Sequence, residues 1–185
     1  MTPAAQQLHD YLVHRAGYRI GPYDTAEDFV LDRGTWFVSG ELSSSQTSIV
    51  LAAAARAGPM TPNHCFANAS KLVLCDRSGE LSYVEGFAMG QVMPVHHAWC
   101  SIGGKVIDLT WMRRDPMVVQ HHRLSQNVLG VFGDQHAYMG YGFDRDQVRD
   151  RVAHGLMRLS FLDHPQSLPT LLELPRLEQA ARSTS

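Results

Sequence analysis

The chain has 185 residues, 44% hydrophobic and 18% charged, which is enough apolar material for one packed domain and too little charge for disorder. Sixteen Lys and Arg against eighteen Asp and Glu leave a net charge of −2, so no basic field points to nucleic acid or an anionic membrane. No run approaches the roughly 18 apolar residues of a membrane span, the first ten residues lack the layout of a secretory leader, and an odd set of cysteines (Cys65, Cys75, Cys100) fits a reducing cytoplasm.

Residues 4–16 read as a helix with Leu8, Tyr11 and Leu12 on one side and Gly17 ending it. Asp24-Thr25-Ala26-Glu27 offers a capping box for a second helix carrying Phe29, Val30 and Leu31, closed by Gly34. Trp36-Phe37-Val38 is β-prone. A Ser-capped, Ala-rich helix is expected over 45–57, stopped by Gly58-Pro59. In Thr61-Pro62-Asn63-His64-Cys65, either Thr61 or Asn63 can cap the next helix. Either choice puts Cys65 in its first turn, with Phe66, Ala69 and Val73 as a buried stripe.

Residues 76–80 read as a turn and 81–89 as an alternating strand. Two more strands, 95–102 and 105–111, flank Gly103-Gly104, a two-residue hairpin signal. Residues 112–132 are ambiguous. A further strand is expected over 138–143, an Asp-capped helix over 145–153 and a last strand over 156–162, while the Arg-rich run 145–158 reads as an exposed face. Pro165, Pro169 and Pro175 punctuate the end. Helices first and an antiparallel sheet afterwards make an α+β fold, with one domain over 1–164 and a tail over 165–185.

A two-residue turn pairs Ile102 with Lys105 and, further along, Trp99 with Asp108. Alternation then puts Ala98, Cys100, Ile102, Ile107 and Leu109 on a core face. His97, Trp99, Ser101, Val106, Asp108 and Thr110 share the other. His97 and Asp108 become diagonal neighbours, with Cβ atoms about 7–8 Å apart or less. A carboxylate fixes an imidazole's tautomer and stabilises its cation, which suits a general base. Cys65, at a helix N-terminus where the dipole favours thiolate and free N–H groups can hold an oxyanion, is the nucleophile to match. Cys65, His97 and Asp108 thus read as nucleophile, base and orienter.

The blocks Cys65-Phe-Ala-Asn-Ala69, Tyr83-Val-Glu-Gly-Phe87, His97-Ala-Trp99 and Val106-Ile-Asp-Leu-Thr-Trp111 resemble the transglutaminase-like branch of the papain-like cysteine superfamily, including small bacterial and phage proteins of that type. Residues 133–143 look similar to a later Gly/Phe-rich strand of those proteins. The resemblance implies a nucleophile helix packed on an antiparallel sheet and acyl transfer through a thioester. Peptidase, amidase or deamidase, and transglutaminase or amide synthase are all open outcomes. It implies an amide- or peptide-containing substrate, small molecule or protein, and no cofactor or metal. Leu109 stands where proline is common in the family. The Gln that papain-like enzymes place shortly before the Cys is absent, leaving Asn63, His64, Gln46 and the Trp99 indole as candidates for the second oxyanion donor. Glu85 is either a substrate contact or an exposed strand residue, and Asn68, one turn after Cys65, is likewise ambiguous.

Two rival readings stand beside this one. A zinc domain draws on the doublets His96-His97 and His121-His122, although His97 and Cys100 would point to opposite faces of their strand. A non-enzymatic protein-binding module or inhibitor would keep the fold without using the triad.

Overall fold

The computed structural model describes residues 1–16, 23, 25–90, 92–112 and 136–163. Within them the chain is α+β. Helices α1 (Pro3–Ala16), α2 (Ala26–Arg33) and α3 (Ser44–Ala57) come early, with the short strand β1 (Thr35–Phe37) between α2 and α3. Helix α4 (Cys65–Cys75) leads into β2 (Ser82–Met89), β3 (Pro94–Ile102) and β4 (Lys105–Ile107), followed by the single-turn α5 (Leu109–Met112). Strand β5 (Ala137–Phe143) and helix α6 (Arg145–Ala153) close the described chain. The expected tail over 165–185 and the doublet His121-His122 lie outside the described residues.

Local chemistry accounts for most of the boundaries. Ser43 caps α3 in a capping box with Gln46, and Asp144 does the same for α6 with Gln147. Gly58 ends α3 with φ of 72°, a conformation that favours glycine. Helix α2 is capped by Thr25, whose side chain accepts from the Asp28 backbone. Residues 156–162 form turns instead of a last strand. Arg151 explains this: its guanidinium donates to the Leu159 and Ser160 carbonyls and lies over the Phe161 ring, so those carbonyls bond a side chain, not a neighbouring strand. Arg145 likewise donates to the Leu74 and Asp76 carbonyls and closes the end of α4. Of the expected exposed arginine face, Arg149 with its partner Asp146 fits, whereas Arg145 and Arg151 are structural.

The sheet is antiparallel, in the order β1-β5-β2-β3-β4. The β3–β4 hairpin has the expected register, with Cys100 opposite Ile107 and Ile102 opposite Lys105, and both Gly103 and Gly104 have positive φ. Its second strand is shorter than expected. β4 stops at Ile107, and Asp108 turns the chain into α5 by accepting the Thr110 and Trp111 backbone N–H groups.

Both faces of the sheet are buried, which is why β2 hides every residue but its first and is not a half-exposed alternating strand. One face carries Ala98, Cys100, Ile102, Ile107, Tyr83 and Phe87 against α1, α2 and α4. Cys100 donates its S–H to the Ala69 carbonyl, which seats α4 on β3. The other face carries a smaller cluster of Val84, Ala88, Trp99, Val106 and Tyr138, with Phe37 and Trp111 packed against it. No helix among the described residues is long and apolar enough to cross a membrane.

Candidate active site

Cys65 is the first residue of α4 and is partly exposed. The cap is His64, one residue later than Asn63 and three later than Thr61, the two expected caps. Asn63 holds φ of 61°, a left-handed conformation that Asn tolerates, and this turn carries the chain into the helix. The His64 side chain caps nothing, and its ring bonds the Pro62 carbonyl. The first-turn N–H groups, which have no partners inside the helix, are therefore not taken by a capping side chain. Asn63 and His64 immediately precede the nucleophile, and the His64 ring is turned to the loop's own Pro62 carbonyl.

His97 sits on β3 opposite Gly86 and is only 4% exposed. Its Nε2 lies 2.7 Å from Asp108 Oδ2, the pairing that hairpin parity predicted, reached even though Asp108 has already left the strand. Asp108 is 1% exposed, and four donors reach it. His97 and the Tyr138 hydroxyl (3.2 Å) share Oδ2, while the Thr110 and Trp111 N–H groups, at 3.0 and 3.1 Å, share Oδ1. Those four bonds match the acceptor capacity of one carboxylate. The Trp111 ring stacks on the His97 ring at a centroid distance of 4.6 Å and 20° between planes. Edge and face are thus both held, and the ring keeps its tautomer and its direction.

Burial alone would drive the His97 ring toward its neutral form. The Asp108 charge and hydrogen bond outweigh that cost and, with a hydrogen bond and charge from Cys65 added, raise the pKa from its ordinary 6.5 to about 9. Because Nε2 is committed to Asp108, Nδ1 is the nitrogen left for the sulfur. The raised value has a consequence for stability. The His97 contribution is complete below pH 6.5, where folded and unfolded chains both carry the proton, and is lost as pH climbs through about 9. Its size is on the order of 3 kcal/mol. Urea midpoints of the wild type should therefore fall between about pH 6.5 and 9 by more than those of Asp108→Asn. Parallel curves for the two proteins would refute the buried pair.

Asn68, which the sequence left ambiguous, and Tyr138, which it did not single out, also reach this site. Asn68, one turn after Cys65 and 3% exposed, exchanges two hydrogen bonds with the Thr61 backbone (2.9 and 2.8 Å) and donates to Thr110 Oγ1 at 3.0 Å. It ties the loop before the nucleophile to the segment after Asp108, so the two ends of the triad are braced to one side chain. Its signal was a polar residue next to the apolar stripe of α4. Tyr138 had no signal, being 30 residues from Asp108 in sequence.

The remaining candidates fall elsewhere. Gln46 belongs to the α3 capping box. Trp99 shares the triad face but is 1% exposed, so it packs against His97, Phe37 and Tyr138 and does not wall a substrate groove. Its indole N–H is buried without a hydrogen-bond partner among the described residues. Glu85 is neither an exposed strand residue nor open to substrate. It is fully buried, and its carboxylate accepts from the Tyr83 and Ser160 hydroxyls and the Phe161 N–H, clamping residues 160–162 onto β2. Burial nevertheless raises its pKa. His96 faces that clamp, with Nε2 3.3 Å from Ser160 Oγ and Nδ1 3.3 Å from Asp163. The rival zinc pair separates as parity requires: His97 is committed to Asp108, and Cys100, its thiol pKa pushed well up by burial, faces Ala69.

Comparison of the chain with protein-family models, with curated proteins and with solved structures finds no match, so the site rests on its own geometry.

Proposed function

We propose that this protein is a thiol acyl-transfer enzyme of transglutaminase-like, papain-like type, acting on an amide or peptide bond through a thioester at Cys65. The observation that carries the reading is the convergence of a helix-N-terminal thiol, a buried imidazole and a carboxylate saturated by four donors. In this reading His97 takes the Cys65 proton, and Asp108 holds the resulting imidazolium. The thiolate attacks the amide carbonyl carbon, and the charge that moves to its oxygen is stabilised by first-turn N–H groups of α4. Collapse of the tetrahedral intermediate breaks the C–N bond, with His97 protonating the leaving amine. His97 then deprotonates water or a second amine, which attacks the thioester and releases Cys65 as thiol. Water gives a hydrolase, and an amine gives a transferase. The His97 pKa, raised to about 9, lets the imidazolium hold that proton at neutral pH once the transfer is made. Three free cysteines suit the reducing cytoplasm in which we place it.

Intact-mass spectrometry tests the reading. After incubation with a panel of amides and peptides, the protein should carry one adduct, mapped to Cys65 and discharged by hydroxylamine. No adduct on Cys65 from any donor, together with equal iodoacetamide labelling of all three cysteines, would rule out an activated thiol.

A further inference from the structure

The orienting carboxylate is reached from a direction that the triad itself does not need. Tyr138, on β5, is 1% exposed, and its ring is fixed between Trp99, edge-on at 5.1 Å, and Trp111, tilted at 5.7 Å. Its hydroxyl lies 3.2 Å from Asp108 Oδ2, the same oxygen that receives the His97 ring at 2.7 Å. A buried tyrosine needs some acceptor for its hydroxyl. Any carbonyl would serve packing alone, whereas this one is aimed at the charge that holds the catalytic ring. The other oxygen, Oδ1, is occupied by two backbone N–H groups that no side-chain change removes.

We infer that Tyr138 is a positioning residue of this site, one whose hydroxyl shares Asp108 Oδ2 with His97 and thereby limits how tightly the carboxylate holds the imidazolium proton. This rests on the acyl-transfer reading for its purpose, though not for its physics. A charge-assisted hydrogen bond draws density from the oxygen that accepts it. With the phenol in place, Oδ2 divides its charge between two donors. Without it, the whole of that charge faces His97, and the imidazolium becomes a weaker acid toward the leaving amine. Too strong a carboxylate would trap the proton that catalysis has to deliver, because transfer is efficient when the acid's pKa lies near the working pH. The groups that face the ring are Asp108 at the start of α5, Cys65 at the start of α4, and Tyr138 on β5. Among the described residues, His136, just ahead of β5, completes the titratable neighbours on that side, reaching Trp111 at 5.6 Å. Glu85 and His96 belong to the Ser160 clamp, where their partners are.

The experiment is an NMR titration of the full chain carrying 15N-labelled histidine, following His97 in the wild type and Tyr138→Phe. The phenyl ring keeps its place between the two indoles, so the fold is retained and only the hydroxyl is lost. The His97 midpoint should move to higher pH, by roughly three- to tenfold in proton affinity. Placing 4-aminophenylalanine at 138, which restores a weaker donor on the same ring, should give an intermediate midpoint. Tyr83→Phe removes a buried hydroxyl that serves Glu85 and should leave His97 unmoved. A folded Tyr138→Phe with an unchanged His97 midpoint overturns the inference, as does an equal shift in Tyr83→Phe. Iodoacetamide labelling of the same wild-type sample separates this result from the parent reading. If Cys65 reacts no faster than Cys75 and Cys100 while Tyr138→Phe still moves His97, the catalytic proposal fails and the role of Tyr138 toward the pair stands.

Discussion

Cys65→Ala should abolish adduct formation and turnover completely while shifting the thermal midpoint by only a few degrees. The sulfur sits at the first position of α4, partly open to solvent at the border of the core, where losing one atom costs little and alanine is a strong helix former. His97 keeps its bond to Asp108 and its stacking on Trp111, so the partner group is not left adrift. The variant should also lower the His97 titration midpoint, because the Cys65 sulfur is one of the groups that raise it. Mass spectrometry, a thermal scan and the 15N titration read the three effects separately. Cys100→Ala supplies the contrast: that thiol is 1% exposed and bonded to the Ala69 carbonyl, so its removal costs stability and leaves the chemistry in place. Residual acyl transfer in Cys65→Ala, or collapse of its fold, would remove Cys65 from the role of nucleophile.

The largest effect on folding is expected from Gly86→Ala. Gly86 lies at the centre of β2, opposite His97 on one side and Gly140 on the other. A methyl group there would stand 2.2 Å from the Met139 carbonyl oxygen and 2.4 Å from the Gly140 Cα. Both are backbone atoms of β5, so no rotamer change relieves the overlap and the strands must part. The cost should be about 3 kcal/mol or more, a large fraction of an ordinary domain's margin. For a chain of this length that is a fall of roughly 6–12 °C in thermal midpoint. Gly40→Ala is the control, since its added methyl meets nothing within 4 Å. Equal midpoints for the two variants would mean that β2 and β5 are not in this register. The close approach has a purpose, because Gly140 also gives way to the Trp99 ring: a methyl there would lie 2.7 Å from its outer carbon. The two glycines let β5 come near enough for Tyr138 to reach Asp108.

Several parts of this molecule were legible because their causes are local. Asp144 with Gln147 and Ser43 with Gln46 announce their helices through side chains that bond backbone within one turn. Gly103-Gly104 fixed the hairpin, and strand alternation then put His97 and Asp108 on one side, so two members of the candidate site followed from counting residues. The count succeeded even though Asp108 lies one residue beyond the strand, because the first residue past a strand end still inherits its direction. The errors have a common source. Glu85 looked like a surface carboxylate because alternation was taken to mean one wet face. In the structure a layer packs on each side, and the charge is met by Ser160 and Phe161 from some 75 residues away. The strand expected over 156–162 failed for the same reason, since Arg151 satisfies carbonyls that a ladder would otherwise pair.

By itself, then, the sequence determined the α+β order of elements, the helix-start position of Cys65 and the parity that joins His97 to Asp108, all of which depend on spacings of a few residues. Only the tertiary structure decided what surrounds them: the Tyr138 hydroxyl on Asp108, the Trp111 ring over His97, the Asn68 brace and the Glu85 clamp. Those contacts depend on how strands stack and which backbones approach closely, and hydrophobic pattern carries no record of which distant residue will supply a buried carboxylate with its last donor.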